Sequence, residues 1–223
     1  DTHGRHELLG NLPPGDVLVH AGDLTNVGRV DQLHAVRDWL ERQDFAHKIV
    51  VAGNHDLLLD RAFCERQGRL EEHEAAREAF LKGASFHYLE DASVEIEGYK
   101  FYGSPFSVSF YNWAFMKDDG PALAEEWAKI PSDADVVVVH GPARGIGDLC
   151  NHGGRAGSVE LARELQTRVK PSVVVHGHIH EDWGAFTDGQ SLFINAAFLD
   201  MRGQPSKGPI VFDLPPRARA QAG

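Results

Sequence analysis

The chain has 223 residues, 42% of them hydrophobic and 25% charged, with a formal net charge of −11. A chain of this size buries one large core or two small ones, and the balance is that of an ordinary soluble globular protein. Its acidity argues against a chain-wide basic footprint for nucleic acid, and no apolar run approaches the roughly 18 residues that span a membrane.

Taken in chain order, the first strand signal is "DVLVHAGD" (Asp16 to Asp23). A helical pattern follows, with Val30, Leu33, Val36 and Leu40 keeping 3-to-4 spacing. "HKIVVAGNHD" (His47 to Asp56) repeats the strand form, a β-branched run that ends in a small residue and polar groups. The segment from about Leu57 to Leu81 reads as helix broken near Gly68. "SVEIEGYKFYGS" reads as a hairpin turning near Glu97-Gly98. Phe106, Phe110, Tyr111, Trp113 and Phe115 then form an aromatic stretch, which is either core and rim packing or a surface that stacks on a nucleobase.

"GPALAEEWAKIP" predicts a helix opened by Pro121 and stopped by Pro131. "DADVVVVHGP" (Asp133 to Pro142) and "KPSVVVHGHIH" (Lys170 to His180) are two further strands. Their continuous valines suggest burial on both faces. Between them lie a glycine-rich loop (Gly141 to Ser158) and a helix with Ser158 as N-cap and Leu161, Leu165 and Val169 on one face. "WGAFTDGQSLFINA" is a second hairpin, turning at Asp188-Gly189. Residues 1–214 read as one domain, and 215–223 as a frayed tail. Strands alternating with helices, joined by antiparallel hairpins, imply a layered α/β domain of two sheets packed face to face.

Polar clusters stand where the Val-rich runs end: Asp1 and His3, Asp23, Asn54 with His55 and Asp56, His140, and His178 with His180. Sites in open α/β sheets form beyond the carboxyl ends of strands. Carboxylates and imidazoles suit divalent ions such as Mn, Fe or Zn. One carboxylate with two oxygens can serve two neighbouring ions.

The order D-x-H, GD, GNHD, HG and GHxH resembles the calcineurin-like metallophosphoesterase superfamily. It is carried by Asp1-Thr2-His3, Gly22-Asp23, Gly53-Asn54-His55-Asp56, His140-Gly141 and Gly177-His178-Ile179-His180. "DVLVHAGDLT", "KIVVAGNHD", "HGPARGIGD", "HGHIHEDWGAFTDG" and "GPIVFDLP" look like the MPPED-type branch of metallophosphoesterase-domain proteins, itself similar to class III cyclic nucleotide phosphodiesterases. The resemblance implies an α/β fold of two mixed β-sheets packed as a sandwich and flanked by helices. It implies two divalent ions, Mn foremost with Fe or Zn as alternatives. One ion is then held by Asp1, His3, Asp23 and His180, the other by Asp23, Asn54, His140 and His178, with Asp23 bridging. His55 contacts the phosphate and acts as general acid, Asp56 orients His55, and the nucleophile is water or hydroxide between the ions.

The implied activity is hydrolysis of a small phosphodiester, cyclic-nucleotide-like. Phosphomonoesterase or protein phosphatase activity on the same site is the alternative, and a non-catalytic protein-binding scaffold the third. In the glycine-rich loop, His152, Arg144 and Arg155 are candidates for substrate contact, each weighed against a solvated loop residue. His176 and His20 read as buried neighbours of the site. His6, His34, His47, His73 and His87 read as surface or helix residues, and Cys150 as packed. With Cys64 and Cys150 as the whole cysteine complement, no disulfide framework is expected, which fits a cytoplasmic setting. The family's first strand precedes D-x-H, so the natural protein is expected to carry residues upstream of Asp1.

Overall fold

The computed structural model describes residues 1–216. Its strands and helices, in chain order, are β1 (Val17–Ala21), α1 (Val30–Arg42), β2 (His47–Val51), α2 (Arg61–Arg66), α3 (Leu70–Leu81), β3 (His87–Tyr88), β4 (Ala92–Ile96), β5 (Tyr99–Ser104), β6 (Ser107–Val108), β7 (Met116–Lys117), α4 (Pro121–Trp127), β8 (Val136–Val139), α5 (Val159–Glu164), β9 (Val173–His176), β10 (Gly184–Thr187) and β11 (Leu192–Asn195). The smaller sheet has the order β1-β2-β3, and the larger β10-β11-β9-β8-β5-β4. β6 and β7 form a separate two-stranded ladder.

The valine runs are buried on both faces because each strand divides its side chains between two cores. Ile49 and Val51 of β2 meet Val136, Val138, Val173 and Val175 of β8 and β9 between the sheets. Val50 turns the other way, onto Leu33, Val36 and Leu40 of α1 and Ala76 and Phe80 of α3. Val137, Val139 and Val174 turn outward onto Leu123 and Trp127 of α4 and Leu161 of α5. Helix, sheet, sheet and helix therefore stack as layers.

The expected sandwich is present, with one difference: only the six-stranded sheet is mixed. β1 with β2 and β2 with β3 are parallel. In the larger sheet β11-β9-β8-β5 are parallel, with antiparallel β10 and β4 at its edges.

Several local expectations are met, and one is not. The helical segment breaks at Gly68, where φ is +67°. Glu97 and Gly98, both at positive φ, turn the β4-β5 hairpin by the two-residue route that strand twist favours. The Ser158 hydroxyl accepts the Leu161 N–H at 3.1 Å and caps α5, which continues as a π-helical turn over Leu165–Val169. The second hairpin departs from a two-residue turn. Thr187 pairs with Leu192, leaving a longer loop in which Asp188 Oδ1 accepts the N–H groups of Gln190 (2.9 Å) and Ser191 (2.8 Å). That carboxylate satisfies the backbone a wider turn exposes. At the C-terminus Leu214 packs against the inter-sheet core, and the Tyr99 hydroxyl donates to the Pro215 carbonyl at 2.6 Å. The rest of the expected tail, residues 217–223, lies outside the described residues.

A largely apolar groove runs along β1, walled by Val17, Val19, Phe101, Ile194 and Phe212. Of the candidate metal ligands only Asp1 reaches it. The chemistry is concentrated elsewhere, beyond the carboxyl ends of β1, β2, β8 and β9.

Candidate metal centre

Parallel pairing brings these four strand ends together. β1 leads into Asp23, β2 into Asn54 and His55, β8 into His140, and β9 into His178 and His180. The Asp1–His3 segment is laid on the turn after β1: Thr2 N–H (3.0 Å) and His3 N–H (2.9 Å) both donate to the Asp23 carbonyl. Three of the candidate ligands, His3 (φ +44°), Asp23 (φ +47°) and His178 (φ +67°), adopt the left-handed conformation that residues with a Cβ seldom take. Such strain, held in place by the surroundings, accumulates at functional sites.

Glycines give the ligands room. A Cβ on Gly53 would stand 2.4 Å from both the nitrogen and Oδ1 of Asp23. One on Gly177 would stand 1.9 Å from Asp1 Oδ1. Neither position tolerates a larger residue without displacing a carboxylate.

Asp23 is the pivot. Its Oδ2 lies 3.5 Å from His3 Nε2, and its Oδ1 lies 3.4 Å from His140 Nε2. Around it are three overlapping groups of donors, each with its atoms within 4.8 Å of one another: Asp1, His3 and His180; His3, Asp23 and His55; Asp23, His140 and His178. Asn54 joins the last group through Oδ1, 2.9 Å from His140 Nε2.

This donor set fits divalent cations. His140 Nδ1 faces the Ala21 carbonyl at 3.0 Å and His180 Nδ1 the Asp200 carbonyl at 3.3 Å. Each Nδ1–H is thereby spent on a backbone oxygen, which leaves the Nε2 lone pair directed inward. Those lone pairs confront other acceptors: Asn54 Oδ1 for His140, and Asp1 Oδ2 at 3.2 Å for His180. His3 and His180 set their Nε2 atoms 3.3 Å apart. Asp1 Oδ1 is buried with no hydrogen-bond partner. Converging acceptors with too few protons between them are what a cation completes.

Protonation follows the same logic. Burial, ahead of the surrounding charges, lowers His3 to about 3 and His178 to about 3, and holds His180 below its ordinary value. The imidazoles are therefore neutral at pH 7, the state a metal ligand needs. Burial alone would raise Asp23, but His140, His3, His55 and the His55 N–H more than offset it and hold the carboxylate well below its usual range.

His55 stands at the rim, its N–H bonded to Asp23 Oδ1 at 2.8 Å. The expectation that Asp56 orients it is corrected. The His55 ring is held by the Asn26 carbonyl, 2.8 Å from Nδ1. Asp56 is fully buried and accepts from Leu24 N–H (3.1 Å), Thr25 N–H (2.9 Å), the Thr25 hydroxyl (2.7 Å) and Gly53 N–H (2.8 Å). It thereby clamps the loop after β1 to the loop after β2. Burial and the nearby Asp23 charge push it up to about 6.

The loop candidates divide. Arg155 is engaged by the fully buried Asp148, at 2.6 Å. Arg144 and His152 are exposed. The loop itself is tied to the turn after His180: Leu149 N–H bonds Asp182 Oδ2 at 2.8 Å, and Asn151 N–H bonds Glu181 Oε1 at 3.3 Å. Buried Asn195 completes the tie, its side-chain amide donating to the carbonyls of Gly147 (3.0 Å) and Ile179 (2.7 Å), the latter between His178 and His180. His176 is fully buried behind the cluster, and His20 meets the Thr2 hydroxyl at 3.1 Å. His6 and His73, expected among surface or helical histidines, are helical but buried. Cys64 and Cys150 are free, the first buried and the second half-buried.

Asn26, Asn195 and Asp200 were not among the candidates from sequence. Two of them act through backbone carbonyls, which any residue supplies, so no side-chain signal marks them. Among the described residues no helix is long and apolar enough to cross a membrane.

The family model for the calcineurin-like phosphoesterases matches residues 1–182. The human metallophosphoesterase domain-containing protein 1 is 37% identical over 226 residues, covering 96% of this chain and 69% of the relative. A UPF0046 protein of Caenorhabditis elegans is 36% identical over 222 residues, covering 96% of this chain and 79% of the relative. A crystal structure superposes with a TM-score of 0.59 at 14% identity, covering 82% of this chain and 79% of the other, a likeness of fold. With its five ligand-bearing blocks gathered about Asp23, the chain belongs to the calcineurin-like phosphoesterase family, metal-dependent hydrolases of phosphoric esters that work at a site for two divalent ions.

Proposed function

We propose that the protein hydrolyses a small phosphodiester, cyclic-nucleotide-like, with two Mn-type ions. The observation that carries this reading is the single Asp23 carboxylate, one oxygen toward His3 and the other toward His140. One group of ligands would comprise Asp1, His3, Asp23 and His180, and the other Asp23, Asn54, His140 and His178. When bound, the ions supply Lewis acidity toward the phosphoryl oxygens and acidify a water molecule.

The chain's own residues do the rest. Asp1 and Asp23 are the carboxylates among the proposed ligands, so two divalent ions, when bound, would retain a modest positive excess. That excess matches the single negative charge of a diester. Attack would develop further charge on the phosphoryl oxygens, toward which the largely buried, preorganised ligand cluster is directed. His55 has its Nδ1–H occupied by the Asn26 carbonyl, so it is the imidazolium form that would carry a second proton, on Nε2, and give it to the departing oxygen, leaving the neutral ring. Asp56 keeps the Asp23 and Asn54 loops in register, so that the ligands meet without reorganisation.

The test is turnover of bis-p-nitrophenyl phosphate against p-nitrophenyl phosphate in added Mn, followed by 2′,3′- and 3′,5′-cyclic nucleotides. Preference for the diester is expected. A clear preference for the monoester overturns the reading in favour of a phosphomonoesterase on the same site.

A further inference from the structure

Trp113 has no part in holding ions, yet its indole packs against His55, with ring centroids 4.2 Å apart and planes inclined by 42°. It lies between β6 and β7, in a loop whose base is built rigidly. Ser107 N–H donates to the Phe115 carbonyl at 3.0 Å and Ser109 N–H to the Lys117 carbonyl at 2.9 Å. Phe115 is buried with φ +50°, and its N–H is taken by Asp60 Oδ2 at 2.7 Å. The other oxygen of the same buried carboxylate caps α2 through Phe63 N–H at 2.9 Å. The loop is thus fastened to the helix that follows the His55 segment. Beyond this base, Phe110 and Tyr111 stand 75% and 66% exposed, in edge contact with each other at 4.4 Å. The stretch splits between its two possible uses: Phe106 and Phe115 pack inside, while Phe110, Tyr111 and Trp113 remain toward solvent or the site.

We infer that Trp113, on the preformed 109–114 loop, is the contact surface for the organic part of the ester, and that it selects substrates with an aromatic or nucleobase ring on the leaving side. The inference rests on the reading of His55 as the group that meets the leaving oxygen. Two rings pack on His55, His3 with centroids 4.5 Å apart and Trp113 at 4.2 Å. His3 is taken up among the ligands about Asp23, which leaves Trp113 to meet the carbon skeleton of an alcohol whose oxygen is at His55 Nε2. A planar group gains there by stacking, which tolerates any base because every base has a π-face. The base of the loop, next to Trp113, is fixed by these bonds, which limits the conformational freedom lost on contact. Trp113 is accordingly a specificity residue.

The experiment compares phenylphosphonate with methylphosphonate, titrated calorimetrically into the full-length, Mn-loaded protein. Both carry the same phosphonate head and differ only in the ring. Wild-type protein is expected to bind the phenyl compound tighter by about fivefold or more. Trp113→Leu should reduce that preference to below about twofold while leaving methylphosphonate affinity unchanged, and Trp113→Phe should keep most of it. A preference that survives Trp113→Leu overturns the inference, as does an equal loss for both ligands, which would mark a purely structural role. If Trp113→Leu does not fold, a wild-type preference below twofold, or one lost in Trp113→Phe with methylphosphonate binding impaired as well, overturns it. A preference for monoesters in the p-nitrophenyl assay would refute the diester reading alone, since the phosphonate comparison does not depend on it.

Discussion

The backbone N–H of His178 donates to Asp1 Oδ2 at 2.7 Å, joining positions 177 residues apart in the chain. The same oxygen lies 3.2 Å from His180 Nε2. One carboxylate therefore holds the left-handed turn that aims His178 and faces the next ligand along. The centre is assembled by such ties between strand ends, and each can be broken singly.

Asp23→Asn keeps the shape of the pivot and removes its charge. The amide presents one oxygen where the carboxylate presents two, so it cannot face both His3 and His140 as an acceptor. Metal content after dialysis against Mn should fall, and turnover should fall with it. Wild-type metal content in the variant would show that Asp23 does not join the two groups.

His55→Ala should separate binding from catalysis. His55 borders Asp23 but is in neither proposed set of ligands, so Mn content should remain at the wild-type level. Turnover should drop by roughly 10²- to 10⁴-fold, the range of general acid catalysis. An undiminished kcat would refute the role given to His55.

Asn195→Ala tests support at a distance from the ions. Its side chain serves Gly147 and Ile179, and its Oδ1 accepts Ala197 N–H at 3.0 Å. Removing it strands buried polar groups, at a cost of about 1–3 kcal/mol. It also frees the segment between His178 and His180, so Mn affinity should weaken by about 10–100-fold, as for other groups that hold ligands in place. Calorimetry with Mn, beside a thermal melt, distinguishes this from general destabilisation. A lower Tm with unchanged Mn affinity would reduce Asn195 to a packing role.

Acid should destabilise the metal-free protein. His3 and His178 are held by burial at about 3 in the fold, against about 6.5 in an unfolded chain. Between those values the unfolded chain binds more protons, so stability is lost as pH falls through about 6.5 toward 3. Melts of chelator-treated protein at about pH 7.5 and about pH 5.5 should show the lower Tm in acid, each kcal/mol lost being worth about 2–4 °C at this size. A Tm that does not move would mean that the two imidazoles are already free to protonate.

Much of this was legible in the residues because two signals coincide. Runs such as Val136–Val139 must be strands with two buried faces, and each such run ends in ligand-type side chains. What escaped the sequence is contact geometry. The string Asn54-His55-Asp56 suggests that Asp56 serves its neighbour, yet successive residues leave the strand in different directions, and Asp56 turns under the loops instead. His55 is held by the Asn26 carbonyl, which no side-chain pattern reveals. Arg155, a candidate for phosphate contact, faces an Asp148 that the fold buries beside it. The second hairpin is longer than its Asp-Gly pair implies because the Asp188 side chain captures two further N–H groups.

The most direct measurement is metal stoichiometry with turnover on one sample. Protein dialysed against Mn and then freed of excess should hold two ions per chain and hydrolyse bis-p-nitrophenyl phosphate. Chelation should abolish both, and Mn should restore both. Undiminished hydrolysis by protein stripped of its ions, or saturation at a single ion with full activity, would contradict the account.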